Sequence, residues 1–542
     1  MASEGTIMKF DAVVVGGGIA GLTAAAYLAR AGKSVALFEK EAATGGLVNS
    51  FDYRGFTFDG GIRSIENSGI VFPMLRQLGI DMAFTQSRVS VGLETDVLKL
   101  KDAGSLKDYH MFLCSKFPGH TREIGRIMAE IEKIMGYMDI LYGIDNPVFM
   151  DLKGDPAYLR KVLLPWLVKY LFSIGKILRL NEPVDEYIRK FTDHQPLIDI
   201  IVQHFFQKTP AFFALSYFSL YLDYHYPKGG TGILTKRIDA YIREHGGVIR
   251  TGTVICSVDP ERRTVTDDKG GTTAYGGLVW AADLKQLYNA IPPEALRAKR
   301  LKKTVLERRE TLRPLKGGDS VFTLYLAVNR EKEYFEKICS AHFFHTPDMA
   351  GLSRAHSDDL DRLLEDPGAF TPAEAKETVK AYLDAFFRLN TYEISFPVLR
   401  DPALAPDGKT GIIVSTLFDH RLAAMVREAG WYEEFKDFAS DCMVRALEDS
   451  VFPGLSADID ARFASTPLSL ERISGSTDGA ITGWAFTNPR IPVIHKLTKM
   501  FSSMKTPLPR ICQAGQWSYS PSGLPIAVLT GKLAADRVLK QL

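Results

Sequence analysis

Length and local pattern predict an α/β protein in which an N-terminal parallel-sheet unit is joined to a second, discontinuous α+β domain. Three observations carry that expectation. The chain has 542 residues, more than one hydrophobic core serves, which implies roughly two to four compact units. The stretch VVVGGGIAGLTAAAYLARAGKSVALFEKEAATGG, Val13 to Gly46, runs strand, helix, strand. Far downstream, Tyr392 to Phe418 reads as two strands around a turn rich in proline and glycine.

Taken in order, Phe10–Val15 reads as a buried strand, Ala20–Ala31 as a helix of alanine and leucine, and Ser34–Glu39 as a second strand. Glycine is costly to order, so three in a row at a strand end imply a need for bare backbone. Gly16, Gly18 and Gly21 fall in GxGxxG spacing. In that pattern the first glycine makes the tight turn, the second admits a pyrophosphate and the third lets helix and strand pack closely. The helix N-terminus then offers free N–H groups and a positive dipole end to the phosphates. Glu39 closes the second strand, where an acid binds ribose hydroxyls. An acid there favours an unphosphorylated ribose, hence FAD or NAD over NADP.

Composition narrows the classes. Hydrophobic residues make up 46% and charged residues 24%, with a net charge of +2, so no basic field invites nucleic acid. Five cysteines, Cys114, Cys256, Cys339, Cys442 and Cys512, lie scattered without a CxxC pair. That argues against a disulfide framework or a metal site and fits a reducing, cytoplasmic compartment. The N-terminus shows no signal-peptide pattern, and no uncharged apolar run is long enough to span a bilayer. Val162–Leu180, VLLPWLVKYLFSIGKILRL, is apolar but carries Lys169, Lys176 and Arg179. Two placements fit it: flat on the inner face of a membrane, with Trp166, Tyr170 and Phe172 at the boundary, or buried in the second domain with snorkelling lysines.

Gly45 and Gly46 follow Lys40, and GFTFDGGIRSIENSG, Gly55 to Gly69, comes next. This run resembles the flavoprotein superfamily of amine oxidases, phytoene desaturases, carotenoid isomerases and retinol saturases. The resemblance implies FAD and a Rossmann-type domain of the glutathione-reductase/amine-oxidase kind, with Glu39, Lys40, Gly45, Gly46, Gly61 and Ile62 along the cofactor. Many members carry arginine directly after the glycine pair. Here Leu47 and Val48 stand, leaving Lys40, Arg54 or Arg63 to supply that charge. No second GxGxxG unit follows, so the two-nucleotide plan of disulfide reductases is not expected.

The resemblance continues. Tyr226–Asp259 looks like the return to the flavin domain, with a turn at Lys228–Gly230, a helix from Ile233 to His245, a strand within Val248–Val258, and Val254 presenting its backbone to the adenine. Tyr392–Phe418 and Ser465–Trp484 resemble the desaturase and isomerase branch. Leu508–Leu539 reads as strand, glycine-rich loop and long helix; by resemblance Gly515 and Gln516 hold phosphate or ribitol, and Gly523, Leu524 and Pro525 lie beside the ring. Many relatives have aspartate where Gln516 stands. The implied FAD domain covers about 1–100, 227–300 and 485–542, and the substrate domain 101–226 and 301–484. Within the latter His120–Met138 is an amphipathic helix, and the charged stretch from Leu352 is expected on the surface.

Phe213, Tyr217 and Tyr221 recur at helical spacing within Thr209–Pro227, either as core or as the wall of a long apolar pocket. Arg63, His225 and Tyr519 are the candidate proton donors, and Trp517 with Tyr519 the candidate aromatic cage of an amine oxidase. The resemblance implies an FAD-dependent oxidoreductase that desaturates or saturates carbon–carbon bonds of an isoprenoid- or polyene-like substrate. Two alternatives stay open: a cis–trans isomerase using reduced FAD, and a flavin-containing lipid-binding protein without chemistry. Oligomeric state is not readable.

Overall fold

The computed structural model describes residues 7–152 and 154–542. Met8–Val15 lies at the centre of a seven-stranded sheet, parallel to Val35–Phe38 on one side and Thr272–Trp280 on the other. Val248–Arg250 extends one edge and Ile511–Gln513 pairs with Thr272–Trp280. The first helix, Ile19–Arg30, is buried from Ile19 through Ala29, because the sheet covers one side and the last helix, Leu524–Leu539, the other. The two helices touch closely: a Cβ on Gly531 would sit 2.3 Å from the Ala20 carbonyl oxygen. Glycine is required there by the approach of backbone to backbone.

The expected strand within Val248–Val258 is in fact two. Val248–Arg250 and Ile255–Asp259 stand at opposite ends of the strand order. The four residues between them reach at most about 14 Å, while five strand spacings measure about 24 Å. The antiparallel strands Ile255–Asp259 and Thr264–Asp267 therefore curl back over the sheet.

A second seven-stranded sheet runs in the order Ile459–Ser465, Ser320–Val328, Thr410–Phe418, Tyr392–Ser395, His342–Thr346, Val89–Leu93, Asp96–Lys99. The expected boundary at residue 100 thus falls too late. Val89–Leu93 pairs in parallel with His342–Thr346, and Val89 and Leu93 bury against the helical insertion rather than the first sheet.

The two faces of this sheet serve different cores. Phe344 faces the insertion, which includes Ser105–Lys116, Thr121–Tyr142, Gln195–Val202 and Tyr217–Leu222. Phe343, one residue earlier and so on the opposite face, packs with the helices Pro372–Leu389 and Tyr432–Ser450. Pro372–Leu389 therefore corrects the expectation of a surface excursion after Leu352: it buries Val379, Leu383, Phe386 and Phe387, and a capping box between Thr371 and Glu374 sets its start.

Between the two units lies a three-stranded sheet of Ile65–Glu66, Tyr224–Pro227 and Phe84–Gln86. Among the described residues, no helix is long and apolar enough to cross a membrane.

Candidate functional site

The glycine turn forms an open cradle. Gly16 has φ +102°, and a Cβ on Gly21 would stand 1.9 Å from the Gly16 carbonyl oxygen, so both positions admit only glycine. A Cβ on Gly18 would meet nothing within 4 Å. The first glycine turns the chain, the third lets the helix close on it, and the second faces free space, as a pyrophosphate seat requires. Glu39 lies beside this turn: its carboxylate accepts from Gly17 N–H at 2.6 Å and Glu41 N–H at 2.9 Å.

The glycine pair completes the rim. Gly45 N–H donates to the Gly17 carbonyl at 2.9 Å, and Gly45 and Gly46 have φ +131° and +58°. Gly61 packs on the Leu47 backbone and Ile62 N–H donates to the Leu47 carbonyl at 3.1 Å. Gly515, φ +84°, closes the far side over Ala20. Gly523 caps the last helix, which opens with Leu524 and Pro525. Next to that helix start, the hydroxyls of Ser520 and Ser522 are buried without a partner among the described residues, the kind of orphaned polar atoms that a bound polar group satisfies.

Three residues expected at the cofactor are engaged elsewhere. Val254 N–H already donates to the Asp268 carboxylate at 3.1 Å, and its carbonyl accepts from Asp268 N–H at 2.8 Å; an adenine has to displace that carboxylate to reach the N–H. Lys40 Nζ donates to the Arg472 carbonyl at 2.5 Å. The Gln516 amide donates to Ser476 Oγ and the Ala480 carbonyl at 3.2 and 3.3 Å. Lys40 and Gln516 therefore tie the cradle to the segment 472–480.

Where the two units meet, a polar network is buried. Asp59 accepts from Tyr226 Oη and from the Thr231 hydroxyl and N–H, all within 2.9 Å. Arg63 donates to the carbonyls of Asp59 and Gly61 and to Ser415 Oγ. Arg400 donates to the carbonyls of Arg63 and Ala341 and to Ser395 Oγ, and lies over the Tyr226 ring. His342 Nε2 stands 2.9 Å from Glu393 Oε1. Burial works to raise the Glu393 pKa, but His342, Arg63 and Arg400 outweigh it and hold the carboxyl below its ordinary value. Burial keeps His342 low and neutral.

Beyond the network, the insertion and the second sheet line a small apolar cavity of about 70 Å³, narrower than the usual small-molecule site of about 300–1,000 Å³, so a long substrate has to part its walls. Ile131, Ile200, Phe205, Phe218 and Phe344 are among the apolar residues of its wall. Tyr217 and Tyr221 line it too, and Phe213 stacks edge-on behind Tyr217 at 5.4 Å. These three come from two short helices, Ala211–Leu215 and Tyr217–Leu222, not one. Tyr221 Oη and His204 Nε2 are 3.1 Å apart, and burial brings His204 down to about 4.

The three sequence-level proton donors do not converge on this space. Arg63 is spent on carbonyls. His225 packs edge-on against Phe72 with Nδ1 on the Asp223 carbonyl; on its strand it points away from the face of Tyr224. Tyr519 is buried in the first-sheet core, where desolvation holds its hydroxyl far above the ordinary value. Trp517 sits in a different cluster, edge-on to Trp484, so Trp517 and Tyr519 form no cage.

A residue the sequence gave no reason to single out lies between the last helix and the tyrosines of the insertion. Glu66 pairs across strands with Tyr224, and cross-strand partners share a face. A Cβ on Gly523 would lie 3.6 Å from Glu66 Oε1, so the carboxyl overhangs the start of the last helix. Desolvation is the chief cause that pushes it up to about 7, with the Asp223 charge adding and its own N–H opposing. No local motif marks it; its setting depends on chain segments far apart.

Comparison with known proteins agrees with this geometry. Residues 14–78 match the NAD(P)-binding Rossmann-like domain. The all-trans-retinol 13,14-reductase of Rattus norvegicus is 23% identical, over 98% of this chain and 86% of its own length. The zeta-carotene-forming phytoene desaturase of Myxococcus xanthus is 24% identical, over 97% and 93%. The chain is a relative of these proteins. Among solved structures, a redesigned putrescine oxidase superposes with TM-score 0.59 at 12% identity, covering 99% of this chain and all of the other, which fixes the shared fold.

Proposed function

We propose that the chain is an FAD-dependent oxidoreductase that saturates or desaturates carbon–carbon bonds of a long apolar substrate of the isoprenoid or polyene kind. The observation that carries this reading is the almost wholly aliphatic and aromatic lining of the small cavity between the insertion and the second sheet. The retinol and phytoene enzymes named above support it. The cradle fits a dinucleotide: Gly18 leaves room for the diphosphate, Glu39 stands where ribose hydroxyls fall, and Leu524 and Pro525 open the last helix toward the ring. Bound there, the flavin supplies the hydride chemistry. The protein's own part is to hold the chain of the substrate between apolar walls, exclude water, and fix one carbon pair against the helix start, whose dipole favours negative charge.

The test is direct. Purified protein is expected to retain the visible flavin spectrum after desalting. Incubated with retinol or phytoene, it is expected to yield a product richer or poorer by one pair of hydrogens in mass spectrometry. A product of unchanged mass and altered double-bond geometry assigns the isomerase instead. A flavin that no donor or acceptor turns over leaves only a carrier.

We further propose that the substrate arrives from an anionic membrane surface through the helix Leu164–Ile177. Phe172 is 79% exposed, Leu171 64% and Val168 54%, an apolar patch of a kind that water-facing surfaces rarely show. From Pro156 to Asn181 there are five cations, Arg160, Lys161, Lys169, Lys176 and Arg179, and no acid, and all five are exposed. Cations beside an apolar helical face suit anionic headgroups. Tyr170 on this helix lies near enough to Tyr519 for an ionised ring to be felt by the other, which places the patch beside the loop before the last helix. Co-sedimentation with phosphatidylglycerol vesicles is expected for the native chain. It should be lost in V168E/L171E/F172E, whose stability should stay within about 0.5 kcal/mol.

A further inference from the structure

We propose that Glu66 is the catalytic acid and base of this site, exchanging a proton with the substrate carbon next to the one that exchanges hydride. This rests on the oxidoreductase reading above. The argument is one of position. Ile65–Glu66 is a strand of two residues pinned against Tyr224–Pro227, so the Glu66 side chain has no helix or long sheet to lie along. Its carboxyl overhangs Gly523, at the helix end where the flavin ring is proposed to rest. Its electrostatic neighbours come from separate elements: Tyr142 from the end of the long helix Thr121–Tyr142, Tyr217 from the cavity wall, Tyr224 across the strand, and Asp223 before it. Asp223 is itself occupied, accepting from the N–H groups of Asn67 and Ser68 at 3.0 and 3.2 Å.

No cation pairs with Glu66 among the described residues, and its carboxyl accepts from its own backbone N–H. The side chain is half-buried, not sealed, yet desolvation dominates its titration. The two facts agree if the surface it shows belongs to an interior chamber and not to bulk water. Glu393 behaves alike, with 37% of its side chain accessible, but Arg63, Arg400 and His342 hold it ionised. Glu66 lacks that company. A carboxyl titrating near 7 is poised for both proton donation and acceptance at neutral pH.

The step balances. In the saturating direction a double bond receives hydride at one carbon from reduced flavin, the two-electron donor. The π pair moves to the neighbouring carbon and forms a C–H bond with the Glu66 proton, and the carboxylate left behind is reprotonated from solvent. Desaturation is the reverse, with Glu66 taking the proton and oxidised flavin the hydride. Tyr142, Tyr217 and Tyr224 have hydroxyls raised by burial and stay neutral throughout.

The test pairs Glu66→Gln with Glu66→Asp and reads the carboxyl directly. Infrared difference titration of the protein without substrate should show a protonated-carboxyl band that disappears with a midpoint near pH 7, absent in E66Q and shifted in E66D. E66Q should keep its flavin spectrum but lose turnover by about 100-fold or more, together with the pH limb near 7: the high-pH limb for saturation, the low-pH limb for desaturation. E66D should recover part of the rate. Turnover in E66Q within threefold of the native enzyme, or a native carboxyl already ionised at pH 5, overturns the assignment. A native protein that turns over no polyene and yet shows the band overturns the oxidoreductase reading while leaving the titrating group in evidence.

Discussion

The cradle and the chamber are built by different means. Around the glycine turn, nearly every feature is backbone: Gly16 and Gly45 in conformations with positive φ, Gly17 and Gly45 N–H groups, one acid at the strand end. The chamber is made of side chains, drawn from residues near 91, 131, 200, 217 and 344, with Glu66 and Glu393 acting on Tyr217 from beyond its wall. A backbone device is specified by short local sequence, because steric room for the chain is a property of single residues. A side-chain chamber is specified only by the whole fold. The same protein thus contains one site that tolerates little change at few positions and another that spreads its requirements over many.

Breaking the chamber while sparing the cradle is expected to have the largest effect. Arg400→Met removes the donor that satisfies the carbonyls of Arg63 and Ala341 and the Ser395 hydroxyl, and leaves Glu393 and Asp59 with less compensating charge. Loss of one partner in such a buried set costs about 3–5 kcal/mol, measurable by denaturant unfolding. Gly21→Val attacks the cradle. Its first side-chain atom collides with the Gly16 carbonyl, which should cost about 3 kcal/mol and abolish retention of flavin on desalting. If Gly21→Val held its cofactor as the native chain does, the local account of the cradle would be wrong.

The smallest effect is a pH dependence that belongs to the second domain alone. Burial keeps His204 at about 4 and His345 at about 3, against an ordinary 6.5. The unfolded chain binds protons on these rings below 6.5 while the folded chain does not, so stability is full above 6.5 and falls as the pH drops toward 4. One unit below 6.5 the loss is about 1.4 kcal/mol per ring. His345→Gln should flatten this limb in thermal melts across pH, and leave the cradle's flavin affinity unchanged.

This contrast explains what the sequence disclosed. Gly16, Gly18, Gly21 and Glu39 were legible because strand, turn, helix and acid follow one another within a short span. The dinucleotide fold followed from them. Glu66 carries no local mark, since Gly523, Tyr142 and Tyr217 give it meaning from afar. Arg63 and His225 looked chemical because their types are; the fold instead spends one on carbonyls and turns the other toward Phe72. The stretch Val248–Val258 read as a single strand since β-branched residues occupy both ends, and only the reach of four residues against five strand spacings reveals the fold-back.

The contact of Gly531 with Ala20 sets an order on synthesis. The helix that begins at residue 19 finds its covering partner only when residues 524–539 leave the ribosome, and the strand Ile511–Gln513 joins the sheet just before. Until then the face of Ile19–Arg30 that Leu524–Leu539 covers stays bare, while the helix Ile233–Glu244 already packs on another face and the second sheet, complete by residue 465, has been able to condense. Removal of residues 524–539 should therefore yield a protein whose second sheet is folded and whose first helix is not.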